Sequence, residues 1–159
     1  MAIPRPTANE IRSVRGKPRA DWPTEFQVRW DFSPENYHLA EDGVEPGVYP
    51  HGEYLIGEAD LADIDENLFG HSRRSKRETW GISKTHDDKV AGAILHWSAG
   101  GLMTPPLLDL ASGFLVITGG HNRIAVCRAD EQKRLPILYP AEKAAQFAAK
   151  LKTFAPTRY

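Results

Sequence analysis

Apolar positions along this chain follow two different periods. Between Asp87 and Gly101, Val90, Ala93, Ile94 and Trp97 recur at i, i+3, i+4 and i+7, the spacing of one buried helical face. Asp87 or Asp88 offers the cap, and Gly100-Gly101 the stop. A second stripe, Ala144, Phe147, Ala148, Leu151 and Phe154, follows Pro140 and predicts a final helix opened by that proline. The stretch "MTPPLLDLASGFLVIT" predicts a strand, a turn at Ser112-Gly113 and a strand over Phe114 to Thr118, because short β-branched and aromatic runs bounded by turn residues favour extended chain. Asn122 to Asp130 turns helical again, and Leu135 to Tyr139 predicts another short strand.

Upstream the pattern is weaker. Phe26, Val28 and Trp30 alternate with polar residues and predict a short strand over Glu25 to Trp30. Ser33-Pro34 pairs an N-cap with proline at the first helical position, which predicts a short helix through Leu39. "EDGVEPGVYPHGEY" is turn chemistry, and Glu53 to Ala59 predicts a strand. "LADIDENLFGHSRRSKRETW" has weak helical potential and is expected to be a loop. Residues 1 to 24 are rich in proline and basic side chains and lack an apolar period. They predict a mobile or loosely docked arm, leaving residues 25–159 as a single domain. The fold class is therefore mixed α/β (α+β), with short strands alternating with helices and an N-terminal extension.

Length and composition narrow this picture. The 159 residues suffice for one domain with a substantial core. No apolar stretch approaches the length that crosses a bilayer, and no signal-peptide apolar region follows Met1 to Pro6, so no membrane partner and a cytoplasmic location are expected. A single cysteine, Cys127, excludes an internal disulfide and a cysteine-built zinc site. The six histidines show no HxxxH or HExxH spacing, and no metal site is expected from them. No serine lies in a GxSxG elbow, which leaves serine-hydrolase chemistry without support. Trp97 belongs to a core stripe, and burial is the commoner fate of Trp22, Trp30 and Trp80 than stacking on a base.

The formal charge of −1 argues against a whole-surface nucleic-acid binder, but the charges are segregated. Residues 1 to 20 carry Arg5, Arg12, Arg15, Lys17 and Arg19 against Glu10. Ser33 to Gly70 holds carboxylates with no Lys or Arg. Arg73-Arg74-Ser75-Lys76-Arg77 then follows. Such blocks form solvated faces or a basic rim around an anion site.

The most informative stretch is "LVITGGHNRIAV", Leu115 to Val126. A helix start leaves backbone N–H groups unpaired and carries partial positive charge, and glycines let an anion approach the backbone. Gly119 and Gly120 would supply backbone donors, His121 and Asn122 side-chain donors, and Arg123 a planar fork suited to phosphate. Gly-Gly-x-x-Arg is much less specific than a P-loop, and neither GxxxxGK[ST] nor GxGxxG occurs.

The helix with Val90, Ala93 and Ile94, then Gly100, Pro105-Pro106-Leu107, a glycine-bearing hairpin, "VITGGHNRIAVCRA" and "LPIL" together resemble the ParB/sulfiredoxin fold family. The resemblance spans about Tyr54 to Leu138. It implies a nucleotide or other phosphate-bearing ligand, such as the triphosphate ATP or CTP with Mg²⁺, seated on Gly119 to Arg123, with Arg73 and Arg74 as an upstream phosphate clamp.

Sulfiredoxins carry Gly-Gly-Cys-His-Arg at this turn. Here His121 stands in the place of the cysteine and Asn122 in that of the histidine, so sulfinic-acid reduction is not expected. Free-serine kinases of the fold carry Asp-Gly-His-His-Arg, matched at Gly120, His121 and Arg123. Partition proteins use a Gly-Glu-Arg-Arg-like turn for a cytidine nucleotide and read DNA with a downstream helix-turn-helix, which this sequence is not expected to supply. As an enzyme the chain would catalyse phosphoryl transfer or nucleotide hydrolysis, with His121, Asp65 or Glu66 as acid or base and Asp63, Asp65 and Glu66 as oxygen ligands for Mg²⁺. The alternatives are a non-catalytic DNA-associated or regulatory module, touching DNA or a protein through the basic arm and Arg73 to Arg77, and a ParB-like nuclease.

Overall fold

The computed structural model describes residues 3–40, 53–69 and 78–157. Its centre is a mixed five-stranded sheet of order β3-β2-β4-β1-β5, formed by β1 (Tyr54–Asp60), β2 (Leu107–Ala111), β3 (Phe114–Gly119), β4 (Arg134–Pro140) and β5 (Ala155–Pro156). β1 runs antiparallel to β4 and β5, and β2 antiparallel to β3. β2 and β4 are parallel through Leu107 and Leu138. The chain is thus mixed α+β, as its alternating patterns predict.

The near-continuous apolar run of β4 has a physical cause. Side chains alternate faces along a strand. Leu135, Ile137 and Tyr139 enter the main core, while Leu138 joins Tyr54, Ile56, Leu107, Tyr37 and Ala40 in a second cluster. A strand covered on both faces has no reason to alternate polar with apolar residues.

The main core is closed by helices. α3 (Lys84–Ser98) buries Val90, Ile94 and Trp97. α4 (His121–Ala129) buries Ile124, Ala125, Val126 and Cys127, and α5 (Ala144–Lys150) buries Phe147. The second cluster is covered by a 3₁₀ helix, Pro34–Ala40, at the place where Ser33-Pro34 predicts a helix.

Four expectations are corrected. The segment expected to be a loop contains α2 (Leu61–Asn67). Leu61 and Ile64 are buried at i and i+3, with Leu68 following, and this burial outweighs weak local propensity. Gly70 to Arg77 of the same segment lie outside the described residues, as does the turn-rich stretch 41–52. The alternation at Glu25 to Trp30 is real in burial, with Phe26 inside the core, but the chain makes only the isolated bridge Trp30 to Met103 among the described residues. α3 starts earlier than expected because Ser83 Oγ accepts the His86 N–H at 3.1 Å. The final stripe is divided: α5 ends at Lys150, and Phe154 returns to pack edge-on against Tyr139 at 5.1 Å.

The N-terminal segment differs most from expectation. It carries α1 (Ala8–Val14), whose Thr7 and Glu10 form a reciprocal capping box. Val14 and Trp22 are buried, and both belong to the main core with Phe26. Trp22 meets Phe26 edge-on at 5.0 Å, and Phe26 meets Trp97 at 6.1 Å. The Arg19 guanidinium covers the Trp22 and Phe26 rings and pairs with Asp130. Arg15 pairs with Asp88 of α3. Two of the arm's basic residues thus serve docking.

Truncation of Trp22 to alanine is expected to cost about 3–5 kcal/mol of unfolding free energy, measured by urea denaturation. A loss below 1 kcal/mol would mean that the segment is not part of the cooperative unit.

The Arg15 link makes a second, pH-dependent prediction. The Arg15 guanidinium first, and the Lys84 ammonium after it, holds the Asp88 carboxyl below its ordinary 3.8. A carboxylate whose folded value is depressed stabilises the fold above its unfolded value and loses that contribution as pH falls through the folded one. Arg15→Met should therefore lower Tm at neutral pH, and the gap from wild type should close as pH drops below 3.8. A gap that persists in acid would assign the effect to packing.

Candidate functional site

The strand-to-helix joint is built around Gly120. This residue caps α4 with φ +98°, a left-handed conformation that costs a glycine little. A Cβ at this position would lie 2.7 Å from Pro106 Cβ and 2.9 Å from Arg123 Nη2, so the joint has room for hydrogen alone. The first intrahelical bond of α4 runs from the Ile124 N–H to the Gly120 carbonyl. α4 thus starts at this turn, where a helix carries its partial positive charge.

The side chains of this turn divide into two sets. Arg123 is 8% exposed. Its Nη1 donates to the Thr104 carbonyl, and its Nη2 donates to the Ala40 carbonyl at 3.0 Å. The guanidinium thereby ties α4 to the strand entry at 104–106 and to the end of the 3₁₀ helix. The fork expected to hold phosphate holds backbone carbonyls instead.

His121 and Asn122 face elsewhere. They line a cleft of about 300 Å³ whose other wall is the start of α3, with Ile82, Ser83, Thr85, His86 and Lys89. The N-termini of α3 and α4 thus open on one cavity, which carries an ammonium, two imidazoles, two hydroxyls and an amide. Asp87 and Asp88 lie in the same stretch of α3 but are engaged locally. Asp87 accepts the Gly81 N–H at 3.0 and 3.1 Å, and Asp88 is shared by Arg15 and Lys84.

The carboxylates expected to assist His121 lie elsewhere. Asp65 receives Arg128 Nε at 3.0 Å on each oxygen and Nη2 at 2.6 Å. Arg128 stands two turns beyond His121, a displacement of about 10 Å along α4. Asp65 is therefore held towards the opposite end of that helix. Asp63 is buried and accepts the Thr153 backbone N–H and hydroxyl and the Asn67 amide. Glu66 is exposed on α2. Among the described residues no group of three or more His, Cys, Asp and Glu could hold a metal ion. Asp63 and Asp65 are thus each engaged by partners within the fold. Arg73 and Arg74 lie outside the described residues. Cys127 is fully buried, and that burial, with the Asp130 charge, pushes its thiol up and away from the nucleophilic thiolate.

Sequence reasoning missed the α3 wall. Lys89, Thr85 and His86 occupy the polar side of a helix recognisable by its apolar stripe, and only the packing of α3 on α4 brings them to His121 and Asn122. No family model matches this chain, and no curated protein or solved structure matches it. No helix among the described residues is long and apolar enough to cross a membrane.

Arg123→Met is expected to cost about 2–5 kcal/mol, because both buried carbonyls lose a charged donor. Asn122→Ala should cost much less. The comparison is made by urea denaturation, and equal small losses would remove Arg123 from its clamping role.

Proposed function

We propose that this chain binds a phosphate-bearing small molecule, of which a nucleotide is the leading example, in the cleft between the N-termini of α3 and α4. The observation that carries the reading is the convergence of two helix starts on one cavity with Lys89, His86, His121 and Asn122 in its walls. Helix N-termini favour anions through the partial positive charge of their aligned peptide dipoles. An ammonium supplies the counter-charge, and imidazole and amide groups supply directional donors.

In this reading His121 and Asn122 touch the ligand, and Gly120 lets the turn that carries them pack against Pro106. Arg123 sets the position of the turn from behind. The order α3, β2, β3, α4, β4 supports a ParB/sulfiredoxin-like architecture for the domain. The ligand is held here for recognition: with Asp65 bound to Arg128, the geometry favours binding over a His121–Asp65 acid–base pair.

The test is a thermal-shift series with pyrophosphate, ATP, CTP and GTP, each with and without Mg²⁺. A ligand at about 100 times its Kd stabilises by about 2.7 kcal/mol, worth about 5 °C or more in a chain of this size. Lys89→Ala and Asn122→Ala should keep the unliganded Tm and lose the shift. The reading is overturned if none of these compounds moves Tm, and a salt-sensitive retardation of duplex DNA in that case would turn the basic segments towards DNA.

A further inference from the structure

The cleft has a lip, residues 80–83, which contributes Ile82 and Ser83 to its wall. Two attachments hold the lip. Behind it, the Asp87 carboxylate takes the Gly81 N–H. In front of it, Trp80 Nε1 donates to the Lys17 carbonyl at 2.9 Å.

The Lys17 carbonyl is itself a fixed point. It accepts a second indole, Trp22 Nε1, at 3.1 Å, and Trp22 is buried against Phe26 beneath the Arg19 guanidinium. One backbone oxygen therefore joins a core tryptophan to a lip tryptophan. Two residues upstream, Arg15 grips Asp88, one position before the cleft's Lys89.

We propose that the N-terminal segment, residues 7–30, is a positioning strut for the cleft, with Trp80 as the residue through which it sets the lip and so the affinity for phosphate. The inference rests on the anion-binding reading of the cleft. It gives the segment a role beyond stability: the lip is fastened to a part of the chain that does not itself line the cavity. Trp80 is a positioning residue, because its indole N–H is spent on Lys17.

The test uses the full chain, Trp80→Phe, and pyrophosphate as probe. Phenylalanine keeps an aromatic ring against the core and deletes the N–H. The expected result is an unliganded Tm close to wild type with pyrophosphate bound roughly three- to tenfold more weakly, the range that loss of one hydrogen bond supports. The chain's four tryptophans, labelled with 5-fluorotryptophan, supply a readout that bulk stability does not move. The ¹⁹F resonance assigned to Trp80 by its loss in the variant should shift on adding pyrophosphate, while that of Trp97 stays in place.

If pyrophosphate binds wild type and Trp80→Phe equally and the Trp80 resonance does not move, the strut is overturned and the anion site survives. If pyrophosphate does not bind wild type at all, both are overturned. Should Trp80→Phe unfold, Trp80→Tyr supplies both the resonance assignment and the binding comparison.

Discussion

A guanidinium taken out of water must find acceptors, and in this protein it finds them on two separate pieces of backbone. Arg123 donates to the Thr104 and Ala40 carbonyls and lies so close to Gly120 that no Cβ fits between them. Once Arg123 is buried in this way, the direction of α4, the entry of β2 at Pro106 and the end of the 3₁₀ helix are fixed relative to one another. The second hydrophobic cluster, with Tyr37, Ala40 and Leu107, closes beside this junction. The positively charged side chain of the glycine turn thus acts as a bracket, and the anion-attracting capacity of the turn resides in its backbone and in His121 and Asn122.

The bracket also explains why the cleft needs a second helix. A helix start with its arginine turned inward has little net charge to offer, and partial charges at one helix end are worth only about 0.3–1 kcal/mol to an exposed anion. α3 supplies what α4 lacks. Its own N-terminus, Lys89 and His86 stand across the cavity, and its acidic residues are engaged locally, Asp88 in ion pairs with Arg15 and Lys84 and Asp87 in hydrogen bonds from the Gly81 N–H. The basic content of the N-terminal segment is best understood here: Arg15 and Arg19 quench carboxylates on α3 and after α4.

What the sequence displays, it displays through periodicity. α3 is legible because it buries a stripe that repeats at 3.6, and β2, β3 and β4 because short apolar runs are bounded by turn residues. Gly119-Gly120 is legible as a special turn because glycine pairs rarely serve another purpose at a strand-to-helix joint. α1 and α2 escape because their anchors are sparse: Val14 in α1, and Leu61 and Ile64 in α2, amid residues that favour caps and loops. The lip escapes altogether, since Trp80 and Lys17 are 63 positions apart and only the folded chain makes them partners.

The same distinction separates the two halves of the candidate chemistry. From sequence, Arg123 and Asp65 look like functional groups because their side chains suit phosphate and protons. In the fold each has a demanding structural employer, backbone carbonyls for Arg123 and a bidentate Arg128 for Asp65. A charged group already satisfied within the fold must break those bonds before it serves a ligand, and the cost of leaving a former partner unpaired opposes that exchange. Lys89, by contrast, is exposed on the cleft wall. For this reason the cleft is better understood as a place where an anion settles between two helix ends than as a pre-assembled acid–base pair, and the residues that decide its selectivity belong to the polar side of α3 as much as to the glycine turn.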